Sequence, residues 1–175
     1  MSTFEIDTTI NGTPVRHSVD ARKTLAVMLR DDFQLTGTHI GCKTGNCGAC
    51  TVELDGATVK SCCVMAAEAD GSEVTTIEQL SQGGELHPMQ EAFSRNQALQ
   101  CGFCTPGMIM SACALLKTKS EPTEEEIRLG LKGNLCRCTG YDKIIKAVQQ
   151  ASKDAPSGNP DVTSAAPLEA TALNG

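Results

Sequence analysis

Ten cysteines, at positions 42, 47, 50, 62, 63, 101, 104, 113, 136 and 138 of a 175-residue chain, are the residues best placed to do chemistry. The order Cys42-x4-Cys47-x2-Cys50, with Cys62 after eleven further residues, is the plant-type spacing for a [2Fe–2S] cluster. Three thiolates on one short loop must wrap a small anionic core, and Gly41, Gly45 and Gly48 let the backbone come close enough to do so. Four thiolates around an oxidised two-iron core carry a formal charge of about −2, becoming about −3 on reduction, so backbone N–H groups must be aimed at the sulfurs. The fourth ligand is expected on a strand. Cys62 and Cys63 compete for it, and because adjacent strand residues face opposite ways only one can reach the cluster.

In the second half Cys101-x2-Cys104 precedes Cys136-x-Cys138 by 31 intervening residues, a gap too long and a final pair too tight for common zinc fingers. A second four-thiolate site is the natural count. Thr105-Pro106 supplies the N-cap and N1 residues of a helix directly after Cys104, and the partial positive charge of that helix end would face an anionic site. Arg137, between two of the ligands, either adds to that charge or faces solvent. Cys113 lies four residues after Ile109 and three before Leu116 on one helical stripe, so it reads as a buried core thiol, with Met108 and Met110 as core filling. His39 stands three residues before Cys42, but a full set of four cysteines leaves no place for Rieske-type ligation. His17 and His87 read as surface or capping residues.

The elements that must position these side chains change character midway. Phe4, Ile6, Thr8 and Ile10 alternate, Asn11-Gly12 is a hairpin signal, and Val15 to Val19 forms the return strand. Thr24 to Phe33 has helical spacing, Thr51 to Leu54 and Ala57 to Ser61 flank a second hairpin at Asp55-Gly56, and Glu73 to Ile77 is a later strand. One helix on a small mixed sheet is the economical assembly. From Leu86 onward the pattern is helical: His87-Pro88 opens a helix to Asn96, Thr123-x-x-Glu126 is a capping box, and Tyr141 to Ser152 is amphipathic. Ser81 to Gly84 reads as a linker. Lys117, Lys119 and the acidic run Glu121 to Glu126 read as a solvated turn and helix start. The boundaries are a first domain over 1–80, a second over 81–153 and a disordered, Pro- and Ala-rich tail over 154–175.

Composition narrows the function. A net charge of −6, from 15 basic and 21 acidic residues, and five aromatics in all argue against a nucleic-acid partner and against cores built around rings. Domains this small need a staple. Met1 to Ile10 has neither the basic nor the apolar region of a signal peptide, and the longest near-apolar stretch, Gly107 to Leu116, is about half a membrane span. A cytoplasmic setting, free or against the inner face of the membrane, keeps thiols reduced and points to metal or redox work rather than disulfides.

Three stretches carry a family resemblance: Gly41-Cys42-Lys43-Thr44-Gly45-Asn46-Cys47-Gly48-Ala49-Cys50-Thr51-Val52, Gln100-Cys101-Gly102-Phe103-Cys104-Thr105-Pro106-Gly107 and Gly133-Asn134-Leu135-Cys136-Arg137-Cys138-Thr139-Gly140-Tyr141. Over roughly residues 3 to 152 the chain resembles the small iron–sulfur subunit of bacterial molybdenum hydroxylases of the xanthine oxidase family. The small subunits of carbon monoxide dehydrogenase and of N-heterocycle and aldehyde dehydrogenases are similar. The resemblance implies an α+β chain, with a plant-ferredoxin-like β-grasp domain followed by an all-α four-helix bundle, each binding one [2Fe–2S] cluster. It implies Cys62 rather than Cys63 as the fourth ligand of the first site, from Val59-Lys60-Ser61-Cys62, with Cys63 left to packing. It also implies a large molybdenum–pterin subunit and a medium FAD subunit, assembled as a dimer of heterotrimers. Electrons would pass from molybdenum to the cluster of Cys101, Cys104, Cys136 and Cys138, then to that of Cys42, Cys47, Cys50 and Cys62, then to FAD. Gln100 would contact the pterin of the partner subunit, an apolar patch on the helical domain would meet that subunit, and no catalytic residue would lie on this chain.

Two other classes compete. A zinc-stabilised scaffold would use short paired spacings that these cysteines lack. A free-standing ferredoxin or iron–sulfur sensor needs only one cluster domain, which leaves the helical half without a role.

Overall fold

The computed structural model describes residues 2–81 and 84–154. Strands β1 (Thr3–Ile10) and β2 (Thr13–Asp20) pair antiparallel from Thr3 opposite Asp20 to Ile10 opposite Thr13. Between them Asn11 and Gly12 both hold positive φ, 49° and 75°, the twist-matching turn that an Asn-Gly pair supplies. Ile6, Thr8 and Ile10 face inward while their neighbours face out, as a two-residue period requires. Asn11 is fully buried: its side chain accepts from the Thr76 N–H at 2.8 Å and donates to Thr76 Oγ1 at 3.0 Å, pinning the hairpin to the end of the sheet.

The helical segment after β2 is shorter and wider than its spacing predicts. Helix α1 spans only Leu25–Val27 and continues as a π-helical turn over Met28–Asp32. Strands β3 (Thr51–Leu54) and β4 (Ala57–Lys60) form the second hairpin, and β5 (Glu73–Thr75) completes a mixed sheet in the order β2-β1-β5-β3-β4. β5 runs parallel to β1 and antiparallel to β3. It stops two residues short of the expected Ile77, which instead opens a 3-10 turn over Ile77–Leu80. Ile6, Ile10, Val19, Leu25, Met28, Leu29, Val52 and Val74 fill the space between sheet and helical turn, with Phe33 the only ring among the buried residues of that core.

Among the described residues the second half contains four helices: α2 (Pro88–Arg95), α3 (Thr105–Thr118), α4 (Glu124–Gly130) and α5 (Asp142–Asp154). They share one core built from Met89, Phe93, Met108, Met110, Ile127, Ile144 and Val148, with Cys113 buried in it as its stripe predicts. Capping follows the sequence at two ends. His87 caps α2 and Thr123 caps α4, each within a reciprocal capping box. It departs at a third: Cys104, not Thr105, is the N-cap of α3, and Thr105 begins the helix with its Oγ1 buried and without a hydrogen-bond partner. Part of the expected linker and, beyond Asp154, the expected tail lie outside the described residues. Among those described, no helix is long and apolar enough to cross a membrane.

Candidate metal centres

The loop from Gly41 to Cys50 leads into β3 and carries three of the thiols. The backbone N–H groups of Thr44 and Cys47 each donate to Cys42 Sγ at 3.4 Å, and hydrogen bonds centred on Thr44 hold the Cys42 thiol down to about 6. A sulfur so solvated is a thiolate at neutral pH, the form a metal takes. Cys50 sits deeper, and desolvation pushes its thiol up to about 11, with the neighbouring Cys62 sulfur adding to the rise. A buried thiolate of that kind needs a positive partner. Space is tight throughout: a Cβ on Gly41 would lie 3.0 Å from Cys47 Sγ, and one on Gly45, where φ is +76°, would lie 3.2 Å from Cys63 Sγ.

Cys62 does not arrive on a strand. β4 ends at Lys60, and Ser61–Cys63 form a 3-10 turn, so the alternation that would send Cys62 and Cys63 to opposite faces does not apply. Their sulfurs lie 3.7 Å apart. Cys62 is buried and Cys63 exposed, which orders them by depth rather than by side. The turn is tied to the loop by Ser61, whose N–H and hydroxyl both donate to the Cys50 carbonyl, at 3.2 and 2.7 Å.

The second group forms around the start of α3. Cys101 and Cys138 bring their sulfurs to 3.6 Å, and both are exposed. Cys104 and Cys136 meet deeper, where desolvation, reinforced by the Cys136 sulfur, pushes the Cys104 thiol up to about 12. Burial opposes ionisation of Cys136 as well, but the Thr139 hydroxyl, donating to its sulfur at 3.1 Å, together with hydrogen bonds from the Thr139 and Cys138 backbone and from Cys104, leaves that thiol below its ordinary value. Tyr141 Oη accepts from the Cys136 N–H at 2.9 Å and fixes the tight Cys-x-Cys turn. Arg137 is exposed. Among the described residues no three His, Cys, Asp or Glu side chains gather as they would on a single ion. Tetrahedral zinc would draw all four sulfurs to within about 3.8 Å of one another, whereas a two-iron centre takes its thiolates in pairs, and the Cys101–Cys138 approach at 3.6 Å is one such pair.

The two groups adjoin. Leu135 N–H donates to the Cys47 carbonyl at 2.9 Å, placing the residue before Cys136 against a cysteine of the first loop. Asn134 Nδ2 donates to the Gly48 carbonyl at 3.1 Å, while its Oδ1 accepts from Ser111 Oγ at 2.8 Å and Lys60 Nζ at 3.4 Å. His39 stacks on Phe103, with centroids 4.8 Å apart, and its Nδ1 hydrogen-bonds the Phe103 carbonyl at 2.8 Å; it joins the halves. Lys117, expected in solvent, instead pairs with buried Glu53. None of Asn134, Lys60, Glu53 or Lys117 stands out in sequence. The only local signal is that Asn134 and Lys60 each lie two residues before a candidate ligand.

Gln100 is exposed and its Nε2 donates to the Cys138 carbonyl at 3.0 Å, bracing the second group. Leu99, Phe103 and Leu135, near Cys101, Cys104 and Cys136 in sequence, are exposed large apolar side chains.

Two thiol groups in tandem, one on the loop before β3 and the turn after β4, the other around the start of α3, point to an iron–sulfur protein, and comparison with known proteins agrees. The "2Fe-2S iron-sulfur cluster binding domain" family matches residues 8–81 and the "[2Fe-2S] binding domain" family matches residues 76–149. The small subunit of nicotine 6-hydroxylase from Paenarthrobacter nicotinovorans is 54% identical over 147 residues, covering 84% of this chain and 88% of that one. The xanthine dehydrogenase iron-sulfur-binding subunit of Escherichia coli O157:H7 is 45% identical, covering 86% and 96%. The crystal structure of quinoline 2-oxidoreductase from Pseudomonas putida 86 superposes with a TM-score of 0.87 at 45% identity, covering 90% of this chain and 98% of that one. The chain belongs to the family of small iron–sulfur subunits of the molybdenum hydroxylases of the xanthine oxidase type.

Proposed function

We propose that this chain is the electron-transfer subunit of a molybdenum-containing hydroxylase or dehydrogenase. One [2Fe–2S] cluster is held by Cys42, Cys47, Cys50 and Cys62 in a β-grasp domain over residues 1–80, the other by Cys101, Cys104, Cys136 and Cys138 in a four-helix domain over 81–153. The names of its relatives, a hydroxylase small subunit and a dehydrogenase iron–sulfur subunit, support that place in a larger assembly. The observation that carries the relay reading is the Leu135 N–H to Cys47 carbonyl bond, which sets the two thiol groups side by side within one chain. When bound, the clusters supply one-electron redox stations. The protein's own part is to hold thiolates, aim N–H groups at sulfur and keep the joint between the halves dry.

Partners follow from the same reading. A molybdenum–pterin subunit meets the exposed Cys101 and Cys138 end, where Leu99, Phe103 and Leu135 offer apolar contact and the Gln100 amide hydrogen-bonds the pterin. An FAD subunit takes electrons from the exposed first loop, and two such heterotrimers associate in the cytoplasm. Substrate oxidation occurs on the molybdenum subunit.

The test is iron and acid-labile sulfide at about four iron per chain, with two distinct electron-paramagnetic-resonance (EPR) signals on reduction. Cys104→Ser should remove one signal and Cys50→Ser the other. Retention of both signals in either variant overturns the ligand assignment, and a colourless zinc-loaded chain overturns the cluster reading. Co-purification with molybdenum and flavin subunits separates the relay from a lone ferredoxin.

A further inference from the structure

Lys60 closes β4, and among the described residues no carboxylate pairs with its ammonium. Its side chain is half-buried, and desolvation holds the ammonium below its ordinary value. Nζ donates to Thr51 Oγ1 at 2.7 Å and to Asn134 Oδ1 at 3.4 Å, both neutral acceptors. Lys117, at the same joint between the halves, has Glu53 at 2.8 Å. The geometry puts the Lys60 ammonium at the first site: Thr51 directly follows Cys50, Asn134 reaches the Gly48 carbonyl of the same loop, and the Ser61–Cys63 turn that carries Cys62 directly follows Lys60. An ammonium drawn from water without an anion is costly, and here the anion has to come from the sulfurs of that site and what they bind.

We propose that Lys60 is the counter-charge for the electron held at the first site, fixed there by Thr51 and Asn134, and that it draws the transferred electron onto that site in preference to the second. The inference rests on the reading of the first site as a [2Fe–2S] centre. Reduction adds one negative charge at the sulfurs, so a fixed cation beside them favours the reduced state. The interaction falls off with distance and dielectric, so the second site feels it less. The surrounding hydrogen bonds hold the charge in place. Thr51 Oγ1 donates to the Gly48 carbonyl at 2.7 Å and Asn134 Nδ2 to the same carbonyl at 3.1 Å, so both acceptors that hold the ammonium are themselves anchored to the cluster loop.

The full chain loaded with both clusters is titrated anaerobically and followed by EPR, as wild type and as Lys60→Gln, Lys60→Met and Lys60→Arg. In Gln and Met, the ratio of reduced to oxidised first site at a fixed potential should fall about tenfold, which for a one-electron couple is about 59 mV. Arg should restore it, and the second signal should move several-fold less. Lys60→Gln keeps an N–H donor for Thr51, so a wild-type potential in that variant would mean that the hydrogen bond alone matters and would overturn the inference. Equal shifts of both signals would overturn it too, because they report a loosened joint rather than a local charge. Failure of the underlying reading is distinguishable, since an iron-loaded wild type would then lack the first-site signal before any substitution.

Discussion

Glu53 Oε2 and Lys117 Nζ lie 2.8 Å apart and join strand β3 to the last turn of helix α3. The Lys117 ammonium reaches both carboxylate oxygens, at 2.9 and 2.8 Å. The Glu53 side chain is 4% exposed and that of Lys117 24%, so the carboxylate is buried and the ammonium reaches it from the partly open edge of the joint. The pair is a further tie between the two halves, separate from the stacked His39 and Phe103 and from the bonds of Leu135 and Asn134 to the first loop.

Lys117→Met keeps the aliphatic stem and leaves the Glu53 carboxylate buried without its cation. Stability of the cluster-loaded chain in urea should fall by about 3–5 kcal/mol, the usual cost of breaking a buried pair from one side. Adding Glu53→Gln should recover most of that loss. A loss under about 1 kcal/mol would place the pair with solvated surface bridges.

Asn134→Ala removes four bonds at once: to the Gly48 carbonyl and Thr51 Oγ1, and from Ser111 Oγ and Lys60 Nζ. Asn134 is 3% exposed, so water cannot replace them without opening the joint. Each stranded buried polar group costs about 1–3 kcal/mol. The expected outcome is faster hydrogen exchange at Leu135 and Thr51 with little change at Ile6 or Val19, which lie in the sheet core. Protection unchanged at Leu135 would show that the joint does not depend on this amide.

That the cysteines gather at two places, around the 41–50 loop with the Ser61–Cys63 turn and around the start of α3, was legible because spacing within a short loop is itself geometry. The Asn11-Gly12 and Asp55-Gly56 hairpins were legible for the same reason: a turn that needs positive φ at both centres accepts few residue types. Local signals misled where geometry changed within one or two residues. Cys62 and Cys63 follow a strand-like run but sit in a 3-10 turn, and Thr105 looks like a cap although the helix begins one residue earlier than a Thr cap allows. Glu53, Lys60, Lys117 and Asn134 were not legible at all. Their partners lie across the joint between the halves, 64 residues away for the Glu53 and Lys117 pair, and one sequence holds no record of which distant residues meet.

Gly107, in the first turn of α3, abuts the first loop so closely that a Cβ there would lie 2.2 Å from the Gly48 carbonyl oxygen. That atom is backbone, so no rotamer change relieves the clash. Gly107→Ala should destabilise the chain by more than the roughly 1–3 kcal/mol typical of overpacking and should weaken magnetic coupling between the two EPR signals as the halves move apart. Gly56→Ala is the contrast: nothing lies within 4 Å of its Cβ position, yet φ is +81°, so it should cost backbone strain of about 1 kcal/mol and leave the coupling intact.

His87 couples the fold to pH. Its Nδ1 accepts from the Met89 N–H at 3.1 Å, which fixes the neutral tautomer with the proton on Nε2, and that nitrogen is buried without a hydrogen-bond partner. Burial holds the imidazole below its ordinary 6.5. Above that value both folded and unfolded chains carry it neutral, and the capping contribution is complete. As pH falls below it the unfolded chain takes up a proton that the folded chain refuses, so stability drops until the folded value is passed. Protonation also turns Nδ1 from acceptor to donor and removes the cap of α2. His87→Asn supplies a cap that does not titrate in this range. The variant should match wild type in thermal melting at about pH 8 and lose less between about pH 6.5 and pH 5. Parallel losses in the two proteins would assign the acid sensitivity to other groups.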